Sequence, residues 1–590
     1  MTPRAGREAI GAAALVLAGV GLRLGFVGAF PTEPVSDFRG LVVFGLRLRD
    51  EGLAVPGWHW VQFNAGLPLL LSALFRLFPH GVAAAAREAT AVVTGLTALL
   101  PFLIWRPILG LRARLFAGAL LALWPGQVFF SGVVAQENWV LPPTVALACL
   151  AVRRLRDSSD PGHPVLAGVL FAAAVAIRQE MLVVLLPPAL AAAGLPGRRE
   201  SRARRLLETA VAAAIPLLAL ALERRAATGR FALTTDHGGL SVLGTLAPGS
   251  AAAGWVDPTL FAVAVEPGLS TDPLALRRAA WRLAAEEARR RWRYHAFRAG
   301  ASAARMAVDS EAQNLFWSLG APGALPAFRA SAAAALTSAA APLLRLEMAL
   351  VSGFFLAATA WALARRDRAI LVVAAAVLLR TLVQVVFSPL GRLMVPAIAL
   401  ALLALSLFAA ALAAPGERGA RRRYLVLGAV LAAGLLGAAP ALGRLAVRKD
   451  EAPPRVLRVP LTVAGGKGLV ACEAEAGRFA AFSGDRAVAA PDSGSAAARV
   501  RCRLPQSQPG VELGLDLEDR AGLEVTVRAG GVERPERFPL PGGGWARCPL
   551  AAAGAPLEVV LEGSAGSRFG FGFVRSDAAA PALPRHRDLP

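Results

Sequence analysis

The residues best placed to do chemistry are charged side chains that stand close to the ends of long apolar segments. A charge at the end of a membrane helix is costly unless it is paired or hydrated, so each is a functional candidate. Carboxylates can act as general bases, and guanidinium groups match the geometry of phosphate. The pattern predicts a site in which acids face an anionic ligand held by arginines. The candidates are Arg23, Asp37, Glu137, Arg178, Glu180 and Arg392.

Each candidate also has a simpler interpretation. An arginine at a helix end can extend its guanidinium to the membrane surface. Glu137 can cap a helix that starts at Trp139, and Asp37 can serve as an N-cap. His59 lies between two tryptophans on the same loop as Asp37, where a histidine is more typical of a membrane interface than of a site. The six histidines form no ligand pair, so no metal site is expected.

Composition places these residues in a membrane protein. The chain has 590 residues, of which 55% are hydrophobic, and a mean hydropathy of +0.52. Its net charge of +22 comes mostly from arginine clusters between apolar segments, which is the pattern of cytoplasmic loops. No basic stretch is interleaved with aromatic residues, so a nucleic-acid partner is not expected. The sequence also has no Walker loop or dinucleotide fingerprint, and no cofactor is expected.

The apolar segments predict about eleven transmembrane helices in the cell (inner) membrane. The N-terminus is predicted to be cytoplasmic and the C-terminus extracytoplasmic. Cytoplasmic loops are assigned from the clusters RPILGLRAR, RRLRD, RRESRARR, RRDR and ERGARRR. The predicted spans are 9–30, 88–105, 114–133, 139–152, 164–178, 181–196, 205–222, 344–364, 369–388, 393–414 and 424–443.

The segment 65–80 is apolar but short and carries Arg76, so it does not suit a membrane span. We therefore expect residues 31–87 to form one outer loop with surface helices near 38–52 and 66–78. A second large outer loop is expected at 223–343. With this topology all six charged candidates lie near the outer face.

The chain after residue 450 has a different pattern. Apolar and polar residues alternate in 511–517, 523–527 and 569–573, and glycine-rich and proline-rich turns separate these runs. This period of two predicts a β-sandwich domain over 450–577, outside the cytoplasm. Residues 578–590 are predicted to be a disordered tail. The whole of residues 1–443 is predicted to form the transmembrane module.

The cysteines fit this division. Cys149 lies in an apolar segment and is expected to be a core residue. Cys472, Cys502 and Cys548 lie in the predicted sandwich. One disulfide and one remaining thiol are expected in an oxidising compartment. The spacing leaves all three pairings open.

Seven motifs in this order resemble the polyprenyl-phosphate-sugar-dependent glycosyltransferases of the C fold, close to family 39. That family includes protein O-mannosyltransferases and lipid A aminoarabinose transferases. The similar segments are GLRLGF, PVSDF, GLPLLLSALFRLFP, LALWPGQVFFSGVVAQEN, AAAVAIRQEMLVVLLP, HGGLSVLGTLAPGSAAAGWVDP and SPLGRLMVPAIALALLAL. The sequence departs from the family at Phe38, where a second acid is common, at Gln179 in place of a proline, and at Leu393 in place of a tyrosine.

The resemblance implies a C-fold membrane enzyme that moves a sugar, with inversion, from a polyprenyl-phosphate donor to a glycan, lipid or protein acceptor. Asp37 would be the general base, with Glu137 as the second catalytic acid. Arg23, Arg178 and Arg392 would hold the donor phosphate. Glu180 and His59 are further candidates. The resemblance implies no cofactor and no obligatory metal.

Two other functions remain open at this stage. A transporter or flippase for a lipid-linked glycan would also need many helices and an arginine-lined path, although no repeat of helical segments is visible. A non-catalytic scaffold that binds glycan is the other alternative, since Phe38 and Leu393 depart from the family pattern. Membrane lipid is an expected partner in every case.

Overall fold

The computed structural model describes most of the chain up to residue 450 and the β-strands beyond it. The residues left out before 450 are 1–2, Ser36, Pro56, Ser158, 195–198, 234, 236–237, 249, 254–257, 267–268, 270–272, 321–324, 326–328 and 415–416. Two compact units result. The first comprises residues 1–236 and 299–444, and the second comprises 237–298 and 445–590. This division differs from the predicted one, which placed 237–298 within the membrane module.

The first unit is helical. Its N-terminal helices are α1 (Pro3–Val16), α2 (Leu22–Ala29), α3 (Asp37–Glu51), α4 (Gly57–Gln62), α5 (Gly66–Leu77), α6 (Val82–Leu96), α7 (Leu99–Ile104), α8 (Leu111–Ala122), α9 (Pro125–Phe130), α10 (Gln136–Trp139), α11 (Leu141–Arg156), α12 (Pro164–Ile177), α13 (Met181–Val184), α14 (Leu186–Ala192) and α15 (Arg199–Thr228). A π-helical turn, Leu17–Gly21, joins α1 to α2.

Shorter helices then lead to a second group of long ones. They are α16 (Gly238–Leu246), α17 (Ser250–Ala253), α18 (Pro258–Val265), α19 (Pro273–Arg290), α20 (Trp292–Leu315), α21 (Ala330–Arg365), α22 (Arg368–Phe387), α23 (Val395–Leu412) and α24 (Arg418–Arg448). A 3₁₀ turn, Gly391–Met394, joins α22 to α23, and a π-helical turn, Phe316–Gly320, extends α20.

The described residues include seven helices that are long and apolar enough to cross a membrane. They are Ala5–Ala29, Val82–Ile104, Arg202–Thr228, Ser331–Arg365, Arg368–Phe387, Gly391–Leu412 and Gly419–Arg448. The chain is therefore membrane-embedded, but the predicted count of about eleven is not confirmed. The other four predicted spans correspond to short or interrupted helices, which are α8 with α9, α11, α12, and α13 with α14. Pro125 and the pair Pro187–Pro188 lie at two of the interruptions, because proline cannot donate the helical hydrogen bond.

Helices α11 and α23 form the centre of this unit. Every described side chain from Val395 to Ala404 is buried, as is every one from Thr144 to Val152. A helix that is apolar all round is stable only when other helices surround it. By contrast, only 17% of the apolar stretch of α15 is buried, and the same share of α24. Both helices keep large aliphatic side chains exposed. Their outer faces are suited to lipid.

The second unit contains all the described strands. They are β1 (Val456–Val463), β2 (Gly466–Ala476), β3 (Arg478–Ser483), β4 (Arg486–Ala490), β5 (Arg499–Leu504), β6 (Val511–Leu517), β7 (Leu523–Ala529), β8 (Val532–Phe538), β9 (Trp545–Pro549), β10 (Leu557–Gly563) and β11 (Phe569–Arg575). The three alternating runs predicted to be strands are β6, β7 and β11. The predicted tail, 578–590, lies outside the described residues.

Hydrogen bonds connect these strands in the order β3-β4-β11-β1-β2-β5-β10-β7-β8, and β6 pairs with β11 and β9. The β1–β11 pair is parallel, and the other described pairs are antiparallel. Cys472 on β2 lies directly opposite Cys502 on β5, and the two form a disulfide. Of the three open pairings, this is the one that occurs. The sandwich arrangement itself stays a prediction.

Candidate active site

Asp37 is the first residue of α3, and its side chain is 62% exposed. The N-terminal end of a helix carries a partial positive charge, which stabilises a carboxylate in the first turn. The Asp37 carboxylate is thus held in place by its backbone and remains open to solvent. A general base needs both properties, because it must reach the proton of an incoming molecule.

The neighbouring residue, Phe38, points into the protein and is 3% exposed. Its ring packs edge-on against Phe130, at 6.5 Å between ring centroids, and against Trp317, at 5.5 Å. The position that often carries a second acid in the family therefore anchors the start of α3 in the core instead. This site has one carboxylate at the helix start rather than two.

Arg392, on the turn between α22 and α23, lies beside both residues. Its Nη2 is 3.3 Å from Asp37 Oδ2, and its guanidinium carbon lies 4.9 Å from the Phe38 ring centroid and 4.3 Å from that of Trp317. The two rings hold the cation by its faces. Only 8% of the residue is exposed, yet Nε and Nη1 find no hydrogen-bond partner among the described residues. Buried donors without partners are costly, so these two N–H groups are available for an anionic ligand.

The turn that carries Arg392 is fixed from two sides. The backbone N–H of Gly391 donates to Gln313 Oε1, and a Cβ at Gly391 would lie 2.6 Å from the Cα of Ser310 on α20. On the other side, Arg380 donates from Nε and Nη2 to the carbonyl of Leu393, at 3.0 and 2.7 Å. A glycine is required here because no side chain fits between the turn and α20.

Arg380 belongs to a buried chain of alternating charges. Arg178 Nη1 lies 2.6 Å from Glu137 Oε1, and Arg178 Nη2 lies 2.5 Å from Glu180 Oε1. Glu180 Oε1 in turn lies 2.9 Å from Arg380 Nη1. Two acids and two arginines balance, so the network is neutral overall. It links α10, the turn after α12, α22 and the Arg392 turn, which suits a positioning role.

Comparison with known protein families covers part of this arrangement. Residues 66–222 match the family model described as dolichyl-phosphate-mannose-protein mannosyltransferase. The resemblance to this glycosyltransferase family is confirmed. The match implies a membrane glycosyltransferase of the mannosyltransferase type. No curated protein sequence matches the chain. The matched region contains Glu137, Arg178 and Glu180, whereas Asp37 and Arg392 lie outside it.

Electrostatics within this mannosyltransferase-like region keep the turn between α12 and α13 ionised. Burial by itself opposes the charge on Arg178, but the carboxylates of Glu180 and Glu137 raise the pKa of Arg178 above its ordinary value. Burial alone would likewise raise the pKa of Glu180, but the charges of Arg178 and Arg380 hold it well below its usual range. The charges of these residues thus stabilise one another's ionised forms.

Three of the predicted site residues pair with one another or with Arg380 inside the protein. Arg178 uses Nε, Nη1 and Nη2 on Glu137 and Glu180, so it does not offer a free edge to phosphate. Glu137 is 2% exposed and Glu180 is shared between Arg178 and Arg380, so neither is open to an acceptor. The charges of both acids are thus compensated by arginines.

Arg23 and His59 also have contacts within the protein. Arg23 donates to the carbonyls of Gly19, Leu121 and Ala122 at 2.8 to 3.0 Å, and so secures the end of α8 against the first helix. Its Nη1 and Nη2 are therefore occupied by backbone rather than aimed at a phosphate. His59 is 5% exposed and packs on the ring of Phe44 at 5.4 Å, so its side chain lies among buried residues.

Three residues near the site were missed by the sequence analysis. In the sequence, Arg380 is a single charge within an apolar run. A charged residue inside a membrane helix is a functional candidate, and that signal could have identified Arg380. Trp317 carried no signal that separates it from other aromatic residues. Glu311 on α20 is fully buried, accepts from Trp124 Nε1, and leaves Oε2 without a hydrogen-bond partner among the described residues.

Proposed function

We propose that the protein transfers a sugar from a polyprenyl-phosphate donor to an acceptor at the outer face of the membrane, with inversion at the anomeric carbon. One observation carries this proposal. An exposed carboxylate, Asp37, lies beside a buried guanidinium, Arg392, whose Nε and Nη1 have no partner among the described residues. A base for the acceptor and a cation for the leaving phosphate are the two groups that this reaction requires.

The proposed step is a single displacement. The acceptor hydroxyl oxygen attacks the anomeric carbon and its proton passes to the Asp37 carboxylate. The bond from the anomeric carbon to the phosphate oxygen breaks, and its electron pair stays on that oxygen. Arg392 stabilises the negative charge that grows there, which is the largest kind of contribution in many enzymes. Polyprenyl phosphate and the glycosylated acceptor are the products.

Inversion places the base and the leaving group on opposite sides of the sugar ring. In inverting glycosidases, the two acting groups stand about 6.5–9.5 Å apart for this reason. The 3.3 Å contact between Asp37 and Arg392 is therefore proposed to be the donor-free arrangement. When the sugar donor binds, the unpaired N–H groups of Arg392 would donate to its phosphate. The contact with Asp37 would then break, and Asp37 would be able to reach the acceptor.

The neutral network is proposed to hold the Arg392 turn in position. It consists of Glu137, Arg178, Glu180 and Arg380. Its last contact is with the carbonyl of Leu393, next to Arg392 itself. Misplacement of a reacting group by about 1 Å can cost about a hundredfold in rate. These four residues thus act on catalysis through Arg392 and not on the substrate.

The test is direct transfer by the purified protein. The protein is reconstituted in nanodiscs with polyprenyl phosphates that carry different radiolabelled sugars, together with candidate acceptors, and the product is analysed by mass spectrometry and NMR. We expect release of polyprenyl phosphate and a product of inverted anomeric configuration. A retained configuration would contradict the single displacement.

A second arm separates transfer from transport. The labelled donor is placed in one leaflet of a proteoliposome and its movement to the other leaflet is followed in the absence of acceptor. We expect no protein-dependent movement. Movement without transfer would favour the flippase alternative, and donor binding with neither would favour the scaffold.

A further inference from the structure

A groove of about 560 Å³ opens between four helices at the end of the first unit opposite to the Arg392 turn. Its walls come from Leu155 on α11, Leu190 on α14, and Leu371 and Val372 on α22. Its only described charged lining residues are Arg202 on α15 and Arg368 on α22. The volume falls within the range of small-ligand sites in proteins, about 300–1,000 Å³.

The position of the groove along its helices places it at a membrane surface. Arg368 is the first residue of α22, and Arg202 is the first residue of the membrane-spanning part of α15. Leu371, Val372 and Ala375 follow on α22, so the apolar lining extends about 10 Å from Arg368 at 1.5 Å per residue. The result is an apolar channel that enters the bilayer below two cations.

The two rim arginines are exposed, and three carboxylates on this group of helices and their connecting loops are engaged by other arginines. Asp367 forms an ion pair with Arg156, Asp160 with Arg153 at 2.6 Å, and Glu208 with Arg204 at 2.7 Å. By sequence, residues 153–160, 200–208 and 367–368 carry seven arginines and five acids, so the formal charge of these segments is positive. An anionic headgroup complements this rim, and guanidinium groups match phosphate oxygens in particular.

We infer that this groove binds an anionic phospholipid, with its phosphate between Arg202 and Arg368 and one acyl chain along the apolar walls. Free phosphate would use the rim but leave the walls empty, whereas a lipid uses both. Basic pockets between transmembrane helices are suited to such headgroups. Helix α22 spans 20 residues, or about 30 Å, between Arg368 and the end that leads to Arg392, so this site is separate from the proposed donor site.

The test compares phosphatidylglycerol binding to the full chain and to Arg202→Ala/Arg368→Ala by native mass spectrometry after delipidation. The matched control is Arg422→Ala/Arg423→Ala, which removes two exposed arginines at the start of α24. We expect the groove variant to bind phosphatidylglycerol about thirtyfold more weakly. The control should bind it as the unmodified protein does. Equal weakening in both variants, or in neither, overturns the inference.

Two further arms separate the sources of binding. Phosphatidylcholine should bind at least about tenfold more weakly than phosphatidylglycerol, and millimolar inorganic phosphate should not displace the lipid. Equal binding of the two lipids, or displacement by phosphate, would overturn the proposed ligand. If the double variant fails to fold, Leu371→Trp fills the groove and keeps both arginines. It should weaken phosphatidylglycerol binding by a similar factor, and undiminished binding would overturn the inference.

Discussion

Two clusters of acids and arginines in the first unit differ in how completely their charges are satisfied. In the buried network, each of Arg178, Glu180 and Arg380 contacts at least one opposite charge at 2.9 Å or less. In the candidate site, Asp37 and Arg392 share a single contact of 3.3 Å, and Arg392 keeps two donors without described partners. Charges that are fully paired stabilise the fold, whereas a buried charge with unpaired donors is suited to bind a ligand.

The largest expected effect comes from Asp37→Asn. This change keeps the shape and removes the basicity, so turnover should fall about 10²–10⁴-fold. Donor affinity should change little, because Asp37 serves the acceptor. The assay is sugar transfer in nanodiscs, with donor binding measured separately. Asp50→Asn on the same helix, where the side chain is 56% exposed, should leave turnover unchanged. Near-normal turnover in a folded Asp37→Asn protein would make Asp37 a helix cap only.

Glu180→Gln tests the other side of the comparison. Removing this charge leaves Arg178 and Arg380 buried with less compensation, which should destabilise the protein by about 3–5 kcal/mol. The measurement is chemical or thermal unfolding in detergent. Glu208→Gln breaks an ion pair with Arg204, whose side chain is 83% exposed, and should cost about 0–1 kcal/mol. Equal stability of the two variants would show that the network does not hold the fold.

Arg392→Ala should reduce turnover by about 10²–10³-fold, as removal of one anion-stabilising donor does in other enzymes. Unlike Asp37→Asn, it should also weaken donor binding. Arg392→Lys should recover part of the binding but less of the rate, because an ammonium does not provide two fixed donors. Arg47→Ala on the exposed side of α3 is the control. Unchanged donor affinity in Arg392→Ala would remove Arg392 from the phosphate site.

The smallest expected effect concerns Glu311. Burial, together with the carboxylate of Glu347, raises the pKa of Glu311 well above its ordinary value. A raised pKa in the folded state means that the stability it contributes is full below the unfolded pKa and is lost as pH rises through the folded pKa. Below the ordinary pKa of a glutamate, where the side chain is neutral in both states, Glu311→Gln should therefore change stability by less than about 1 kcal/mol. It should also reduce the loss of stability as the pH rises above that ordinary pKa, measured by thermal unfolding. An unchanged alkaline loss would place the titrating group elsewhere.

The sequence predicted the local elements of the site well. The helices expected near 38–52 and 66–78 are present as α3, Asp37–Glu51, and α5, Gly66–Leu77, while their position at the membrane surface stays a prediction. Their starts are visible because Pro, Gly and Asp interrupt or cap apolar periodicity, which is local information. The pattern of charge along the chain likewise drew attention to both Asp37 and Arg392. Whether these two residues act in catalysis stays a prediction.

The roles of the arginines could not be predicted from the chain in the same way. Arg23, Arg178 and Arg392 look alike in sequence, since each stands near a helix end. Their partners come from elements far apart in the chain: Arg23 contacts the carbonyls of Leu121 and Ala122, and Arg178 contacts Glu137. Only tertiary packing decides which guanidinium is saturated. The strand order of the second unit is hidden for the same reason, because β1 pairs with β11 across the whole domain.

Gly391 also sets a timescale for the proposed reaction. Because the turn lies too close to α20 to admit a Cβ, it has little room to shift towards that helix. We therefore expect Asp37 and Arg392 to separate by rotation about the side-chain bonds of Asp37, which is 62% exposed, rather than by the swing of a loop. Rotations of exposed side chains take picoseconds to nanoseconds, whereas lids open in microseconds or more. The rate at which a long polyprenyl chain arrives and leaves through the bilayer would then limit turnover, not the preparation of the site.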